Sequence, residues 1–408
     1  MSLPIHLHRP LPGVALAQKI LKGEVVVAGV LSGTSADGID VVLFRPTPLP
    51  NGRMDWLTYG FETLPFEPSL AAEVRWILDG GAVDVQRLAL LHRDLGIAFG
   101  LAARQVGDRC GYSIDLVGSH GQTVWHHDGN LVGGAASLQL GDGDFIAEAS
   151  GATVVSDFRQ RDMAAGGEGA PIGHLVDPWL FPKLPLPGAI LNLGGFGNLT
   201  LLNRNGGCAS FDTGPAGALL DGLTRLCLGE SMDLDGVHAS QGRAHGELFA
   251  KWMGDVEPFL RLPIPRSTGR DSFGATWVRS LVEGASDHSA EDLLATGVLV
   301  VAECVARSLV HAPSEMRPLE LIVAGGGARN PVLLRAISER TGLPVTSSSA
   351  HGIDPDAREA LIFGLLAVAN VLGIALPFEG AEGRTPTGAR SGRILGKTSP
   401  APPVEVLP

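Results

Sequence analysis

Thr153-Val154-Val155 runs, by way of Ser156, into Asp157-Phe158-Arg159-Gln160-Arg161-Asp162-Met163-Ala164-Ala165-Gly166-Gly167-Glu168-Gly169-Ala170-Pro171-Ile172. The β-branched triplet predicts a short buried strand. Strands of open α/β sheets deliver ligand-binding residues at their carboxyl ends. What leaves this strand is a cluster of two Asp and two Arg, followed by side chains small enough for backbone to touch a ligand. Asp162 stands at the join, where a carboxylate could take a proton from a hydroxyl or a water. The competing reading is a surface loop carrying solvated charges. Residues elsewhere in the chain decide between the two.

At 408 residues the chain exceeds what one core usually serves, so two domains are expected. An apolar content of 45% with 18% charged residues describes a well-buried globular protein. Glycine is abundant at 55 residues and clustered, which points to loops that hug a ligand. The balance of 31 basic and 43 acidic residues, net −12, argues against broad binding of nucleic acid or anionic membranes. A small anionic substrate fits, because a local pocket can oppose the global charge. Cys110, Cys208, Cys227 and Cys304 are far apart, without C-x-x-C spacing. The expectation is four thiols in a reducing cytoplasm, with neither disulfides nor zinc. No apolar run is expected to reach the roughly 18 residues of a membrane span. The short run from Leu11 to Ala17 is broken by Pro12 and Gly13, so it does not read as a signal peptide.

In order along the chain, a helix is expected over Val14–Leu21 and strands over Val25–Val30 and Ile39–Phe44. The turn between the strands, Leu31-Ser32-Gly33-Thr34-Ser35-Ala36-Asp37-Gly38, offers the amides and hydroxyls that phosphate oxygens need. Asp37 adds a carboxylate suited to hydrated Mg²⁺. Leu88–Val106 has helical periodicity. Asp115–Gly118 reads as a strand ending in Ser119-His120-Gly121-Gln122-Thr123, where His120 either meets a substrate hydroxyl or is a hydrogen-bonded structural histidine. His126-His127 lacks the i, i+4 spacing of a metal site.

Three prolines between Phe181 and Pro187 mark a domain boundary, and the pattern then starts again. Ala189–Leu193 reads as a strand, Gly194-Gly195-Phe196-Gly197-Asn198 as a turn and Leu199–Leu202 as the returning strand. Ser210-Phe211-Asp212-Thr213-Gly214-Pro215-Ala216-Gly217 is another strand entering a phosphate-ready turn. A strand–turn–strand unit thus opens each half of the chain, roughly 160 residues apart, which suggests two related domains facing each other across a cleft. The expected division is 1–186, 187–370 and a C-terminal extension over 371–408. Glu291–Leu309 is expected to be a long helix. Leu321–Ala324 is a strand followed by Gly325-Gly326-Gly327-Ala328-Arg329-Asn330-Pro331 and a helix, a turn suited to a nucleotide resting on bare backbone. Asp354-Pro355-Asp356 is expected to start a core helix, with Asp354 as its cap and Glu359 near its start. From Thr398 onward four prolines predict a frayed tail.

Together these segments resemble the anhydro-N-acetylmuramic acid kinases, from about Gly29 to about Pro400. The resemblance rests on Ser32-Gly33-Thr34-Ser35 with Asp37-Gly38, Ser119-His120-Gly121-Gln122-Thr123, Asp157-Phe158-Arg159 with Asp162, and Asn192-Leu193-Gly194-Gly195. It continues through Phe211-Asp212-Thr213-Gly214-Pro215, Ser267-Thr268-Gly269-Arg270, Gly325-Gly326-Gly327-Ala328-Arg329-Asn330, and Asp356 with Glu359-Ala360. Only the Asp162 segment is specific alone; the order and spacing of the set are highly specific.

The resemblance implies an α/β fold of two ribonuclease-H-like domains, with a nucleotide- and sugar-binding cleft between them and ATP and Mg²⁺ as cofactors. It also implies a double reaction, in which Asp162 activates a water that opens a 1,6-anhydro sugar while O6 takes the γ-phosphate. On the same basis Gly33, Thr34, Ser35, Asp212, Thr213 and Gly214 hold phosphate. Asp37 and Asp212 face the metal. Gly326, Gly327 and Asn330 border the adenosine. His120, Arg159 and Glu359 line the sugar site. A cytoplasmic homodimer is expected, with no nucleic-acid or membrane partner. The chain departs from the family at Ala216-Gly217, where Gly-Asn is usual, and Ala216 is expected to enter positive φ less freely. Two other readings stand beside this one: a kinase for another anhydro sugar such as levoglucosan, and a non-catalytic sugar or nucleotide sensor.

Overall fold

The computed structural model describes residues 12–33, 36, 38–49, 54–127, 133–170, 172–204, 208–264, 266–376 and 387–403. Contacts divide the chain into two compact units, Met1–Pro182 with Glu359–Pro408, and Lys183–Arg358.

The first unit is built on strands β1 (Val27–Ser32), β2 (Ile39–Pro48), β3 (Met54–Leu64), β4 (Leu116–His127), β5 (Ala136–Leu140) and β6 (Thr153–Ser156). β1, β2 and β3 form an antiparallel meander, and β4 and then β6 add in parallel on the other side of β1. β1 is buried at every position, as a central parallel strand covered on both faces must be. One covering layer is the helix Val85–Cys110, whose Leu91, Leu95, Phe99 and Val106 recur at helical spacing and are fully buried. Asp84 caps its start by accepting from the Arg87 amide at 2.7 Å.

The second unit repeats the plan with β7 (Gly188–Leu193), β8 (Phe196–Leu202), β9 (Cys208–Pro215), β10 (Leu321–Ala324) and β11 (Val345–Ser347). Its order is β11-β10-β7-β8-β9, again an antiparallel meander of three strands with two more added in parallel. Each unit therefore shows the ribonuclease-H-like order that the resemblance implied. The helix Ala290–Val310 is long and apolar enough to cross a membrane by length and composition, which the sequence reading did not anticipate. Here it is a core helix, with Leu293, Leu294, Val298, Val301 and Val305 buried in the second unit.

Four expectations need correction. The helix of the C-terminal region spans Arg358–Val371, so Asp354 is not its cap. Apart from its first residue it belongs to the first unit, not to a domain over 187–370. The physical reason lies in two glycines: a Cβ on Gly29 of β1 would fall 1.8 Å from the Ala360 carbonyl oxygen, and one on Gly118 of β4 would fall 2.1 Å from that of Phe363. The bare backbone of both strands lets the helix lie directly on the sheet. Third, residues 158–164, for which a surface loop was the competing reading, form a short helix, and Ser119–His127 continues β4. Fourth, the tail is ordered at its start. Lys397–Ser399 form β12, which pairs antiparallel with β6 at the sheet edge.

Candidate active site

In the first unit β1 and β6 end against Ser119–Gln122 of β4, which itself runs on to His127. Val30 pairs with Ser119 but Leu31 with Gly121, so His120 is the extra residue of a bulge. Gly121 makes the bulge possible: its φ is +75°, and a Cβ there would lie 2.4 Å from the Leu140 carbonyl oxygen. The bulge leaves His120 buried and stacked on Phe363, ring centroids 4.3 Å apart. Its Nε2 accepts from Arg159 Nε at 3.1 Å, which assigns the ring proton to Nδ1. Burial, and secondarily the Arg159 charge, holds its pKa well below the ordinary histidine value. His120 is therefore a neutral donor at pH 7. Its Nδ1 is buried with no hydrogen-bond partner among the described residues, and so are Ser32 Oγ, Ser119 Oγ and Gln122 Oε1. Four such orphans, one at the end of β1 and three on the adjoining stretch of β4, call for a polar ligand or water.

β6 delivers Asp157, in left-handed conformation at φ 54°, and then the helix Phe158–Ala164. The charge cluster splits as it turns. Arg161 is exposed and Asp157 pairs with Lys397, so for these two the solvated reading holds. Arg159 and Asp162 turn inward. Asp162 is only 5% exposed, and both carboxylate oxygens are held: Oδ1 accepts from Thr387 Oγ1 at 2.6 Å and Oδ2 from the Gly169 amide at 2.9 Å. The glycines that follow are explained by this wrapping. A Cβ on Gly167 would sit 2.3 Å from Asp162 Oδ2. Arg159 donates to the Gly169 carbonyl at 2.8 Å, which ties the same loop to the helix. Burial pushes its pKa down to about 10, against the opposing pull of Glu359 and Asp162, so it remains charged at neutral pH. Asp162, Arg159, His120 and Glu359 thus form one electrostatically coupled group.

Of the first phosphate turn, Thr34, Ser35 and Asp37 lie outside the described residues. Gly33 follows β1 directly, and its carbonyl accepts from Gln122 Nε2 at 3.1 Å.

In the second unit Asp212 Oδ1 accepts from Asn198 Nδ2 and Oδ2 from the Thr268 amide, both at 2.9 Å. Burial pushes its pKa up, and those bonds pull it back. Each carboxylate oxygen has a further lone pair, so the residue fits a hydrated Mg²⁺ in a buried setting that a cation would relieve. Thr213 is spent on structure, donating to the Gly197 carbonyl at 3.2 Å. Gly214 has φ 130°, whereas Ala216 sits at φ −137°; the departure from glycine at 216 therefore requires no left-handed backbone. At Gly217 a Cβ would fall 2.8 Å from the Gly194 carbonyl oxygen, a close approach that suits glycine. Sequence reasoning missed Asp221, one turn further on, whose pKa burial pushes up to about 6.

The glycines of this unit fall into two kinds. Gly325 and Gly327 are demanded by packing, since added Cβ atoms would lie 2.8 Å from the Leu193 carbonyl oxygen and 2.6 Å from Leu193 Cβ. At Gly326 a Cβ meets nothing within 4 Å, and at Gly194 and Gly195 the nearest atoms are 3.9 and 4.0 Å away. These three, at the carboxyl ends of β7 and β10, are open where a nucleotide can lie against backbone. Asn330 acts as a cap, its side-chain oxygen accepting from the Leu333 amide at 3.0 Å. One further group, His245, His288 and Asp292, brings potential metal-ligand atoms within 4.8 Å of one another and includes none of the residues named from sequence.

Thr387 was invisible in the sequence, because 225 positions separate it from Asp162 and no regular pattern surrounds it. Phe363, which floors His120, looked like any core residue of its helix.

A duplicated α/β fold of this order, with a buried acid at one set of strand ends and open glycines at another, is that of a two-domain nucleotide-binding protein. The profile of one such group, anhydro-N-acetylmuramic acid kinase, matches residues 25–401. The chain is 38% identical to the anhydro-N-acetylmuramic acid kinase of Xanthomonas campestris pv. campestris over 98% of its own length and all of that protein's. It is 38% identical to that of Gloeobacter violaceus over 92% of this chain and 99% of the relative, and 40% identical to that of Xanthomonas oryzae pv. oryzae over 93% and 98%. The chain belongs to the anhydro-N-acetylmuramic acid kinase family.

Proposed function

We propose that the protein is an ATP-dependent kinase that hydrolytically opens 1,6-anhydro-N-acetylmuramic acid and phosphorylates O6, giving N-acetylmuramic acid 6-phosphate and ADP. The observation that carries this reading is Asp162, a buried carboxylate with both oxygens positioned, coupled to Arg159, His120 and Glu359 in the first unit. In this assignment Asp162 takes a proton from a water, the water oxygen bonds to the anomeric carbon, and the C1–O6 bond breaks. O6 then attacks the γ-phosphorus and ADP leaves. Neutral His120 offers its Nδ1 proton to a sugar oxygen, and Arg159 and Glu359 complete the sugar site. Gly326, Gly327 and Asn330 border the adenosine. The phosphates are assigned to Gly33, Thr34 and Ser35 and, in the second unit, to Gly214 and the backbone of Thr213, whose hydroxyl is held by the Gly197 carbonyl. Asp212 and Asp37 would hold Mg²⁺, which supplies charge neutralisation for phosphoryl transfer when bound. We place the reaction in the cytoplasm, in keeping with four cysteines that form no disulfide, and in a homodimer.

An intact Asp162 speaks against a sensor, and relatives named as anhydro-N-acetylmuramic acid kinases speak for the muramic sugar over levoglucosan. The test is ADP release with 1,6-anhydro-N-acetylmuramic acid, with the product read by mass. A gain of phosphate plus water is expected in the wild type, and no turnover in Asp162→Asn although ATP still binds. Turnover by Asp162→Asn would refute the base assignment.

A further inference from the structure

We propose that Thr387 is a positioning residue for Asp162, holding one of its carboxylate oxygens so that the other side of the group faces the reacting water. The proposal rests on the reading of Asp162 as general base. Thr387 is 1% exposed, and its hydroxyl donates to Asp162 Oδ1 at 2.6 Å, a short charge-assisted bond between two buried groups. The hydroxyl is itself fixed from both sides of the loop it serves. The Thr387 carbonyl accepts from the Glu168 amide at 2.9 Å, and the Ala165 carbonyl accepts from the Arg390 amide at 3.1 Å and from its Nε at 3.2 Å. Residues 387–390 therefore strap the turn after the catalytic helix, and Thr387 and the Gly169 amide grip the two oxygens of the base separately. Two donors in fixed directions leave a defined lone pair for the water. A threonine that served only packing would not need its hydroxyl at this place.

The experiment compares Thr387→Val and Thr387→Ser with the wild type, following kcat/KM for the anhydro sugar against pH. Val keeps the shape and removes the donor. Its acid limb should move up by about one to two pH units, the worth of one hydrogen bond to a charged group. Its kcat should fall more than tenfold with KM for ATP unchanged, and Ser should restore both. An unmoved acid limb in Thr387→Val, or Val and Ser behaving alike, would overturn the proposal. Thr387→Ala supplies the same comparison should Val not fold. Asp162→Asn is assayed in parallel to separate the two ideas. If Asp162→Asn is inactive while the Val limb stays in place, the positioning role alone fails. If Asp162→Asn turns over, the base reading itself fails.

Discussion

Gly167→Ala places one methyl group against the candidate base. Gly167 does not have positive φ, so alanine brings no backbone strain and the effect is confined to the space it needs. That space is taken: the new Cβ would lie 2.3 Å from Asp162 Oδ2, 2.8 Å from its Cγ and 3.0 Å from Ala389 Cβ. Ordinary contact begins near 3.4 Å, so the carboxylate must retreat from the methyl by about 1 Å. A misplacement of this size at a reacting group costs about 100-fold, or about 2.7 kcal/mol of activation free energy. The assay is steady-state ADP release, with kcat expected to fall by about that factor and the KM for ATP to stay within twofold. Gly254→Ala is the control, because its Cβ meets nothing within 4 Å and the site lies inside the helix Gly246–Leu260. It should leave kcat alone and stabilise the fold by about 0.5–1 kcal/mol. Wild-type kcat in a folded Gly167→Ala protein would refute the reasoning from Asp162 outward.

Gly326→Val should fold normally yet bind ATP at least tenfold more weakly by calorimetry, whereas Gly325→Ala should lower the melting temperature, since only the second meets packed atoms. Gly217→Ala should also destabilise, by about 1–3 kcal/mol in denaturant titration, because its methyl would press on the Gly194 carbonyl. Burial depresses the folded pKa of His120, so between that value and about 6.5 the unfolded chain binds the extra proton. Stability should therefore be lost as pH falls below about 6.5, by at most about 1.4 kcal/mol per unit from this residue. Melting of His120→Asn between pH 7.5 and 5 should show a shallower slope than wild type.

Much of this was legible in the chain itself. Continuous apolar runs located β1, β2, β7 and β10, and the recurrence of strand–turn–strand units announced two related domains. Asp162 stood out because small residues follow it, and the structure shows why: Gly167 and Gly169 lie against its carboxylate. What escaped was set by contacts distant in sequence. β3 was not read because its mostly half-exposed and exposed positions carry no apolar run. The helix Arg358–Val371 was assigned to the second domain by chain order, since only Gly29 and Gly118 reveal where it lies. Thr387 had no local signal, because the carboxylate its hydroxyl meets lies 225 positions earlier in the chain.

The second unit is one continuous segment set within the first, which stays incomplete until the chain returns at Glu359. During synthesis the inserted unit is thus whole before the unit it interrupts, so maturation runs opposite to chain order. The returning segment carries β12 and the Thr387 strap, so Asp162 Oδ1 gains its hydroxyl donor only after the inserted unit has been made, whereas Oδ2 already has the Gly169 amide.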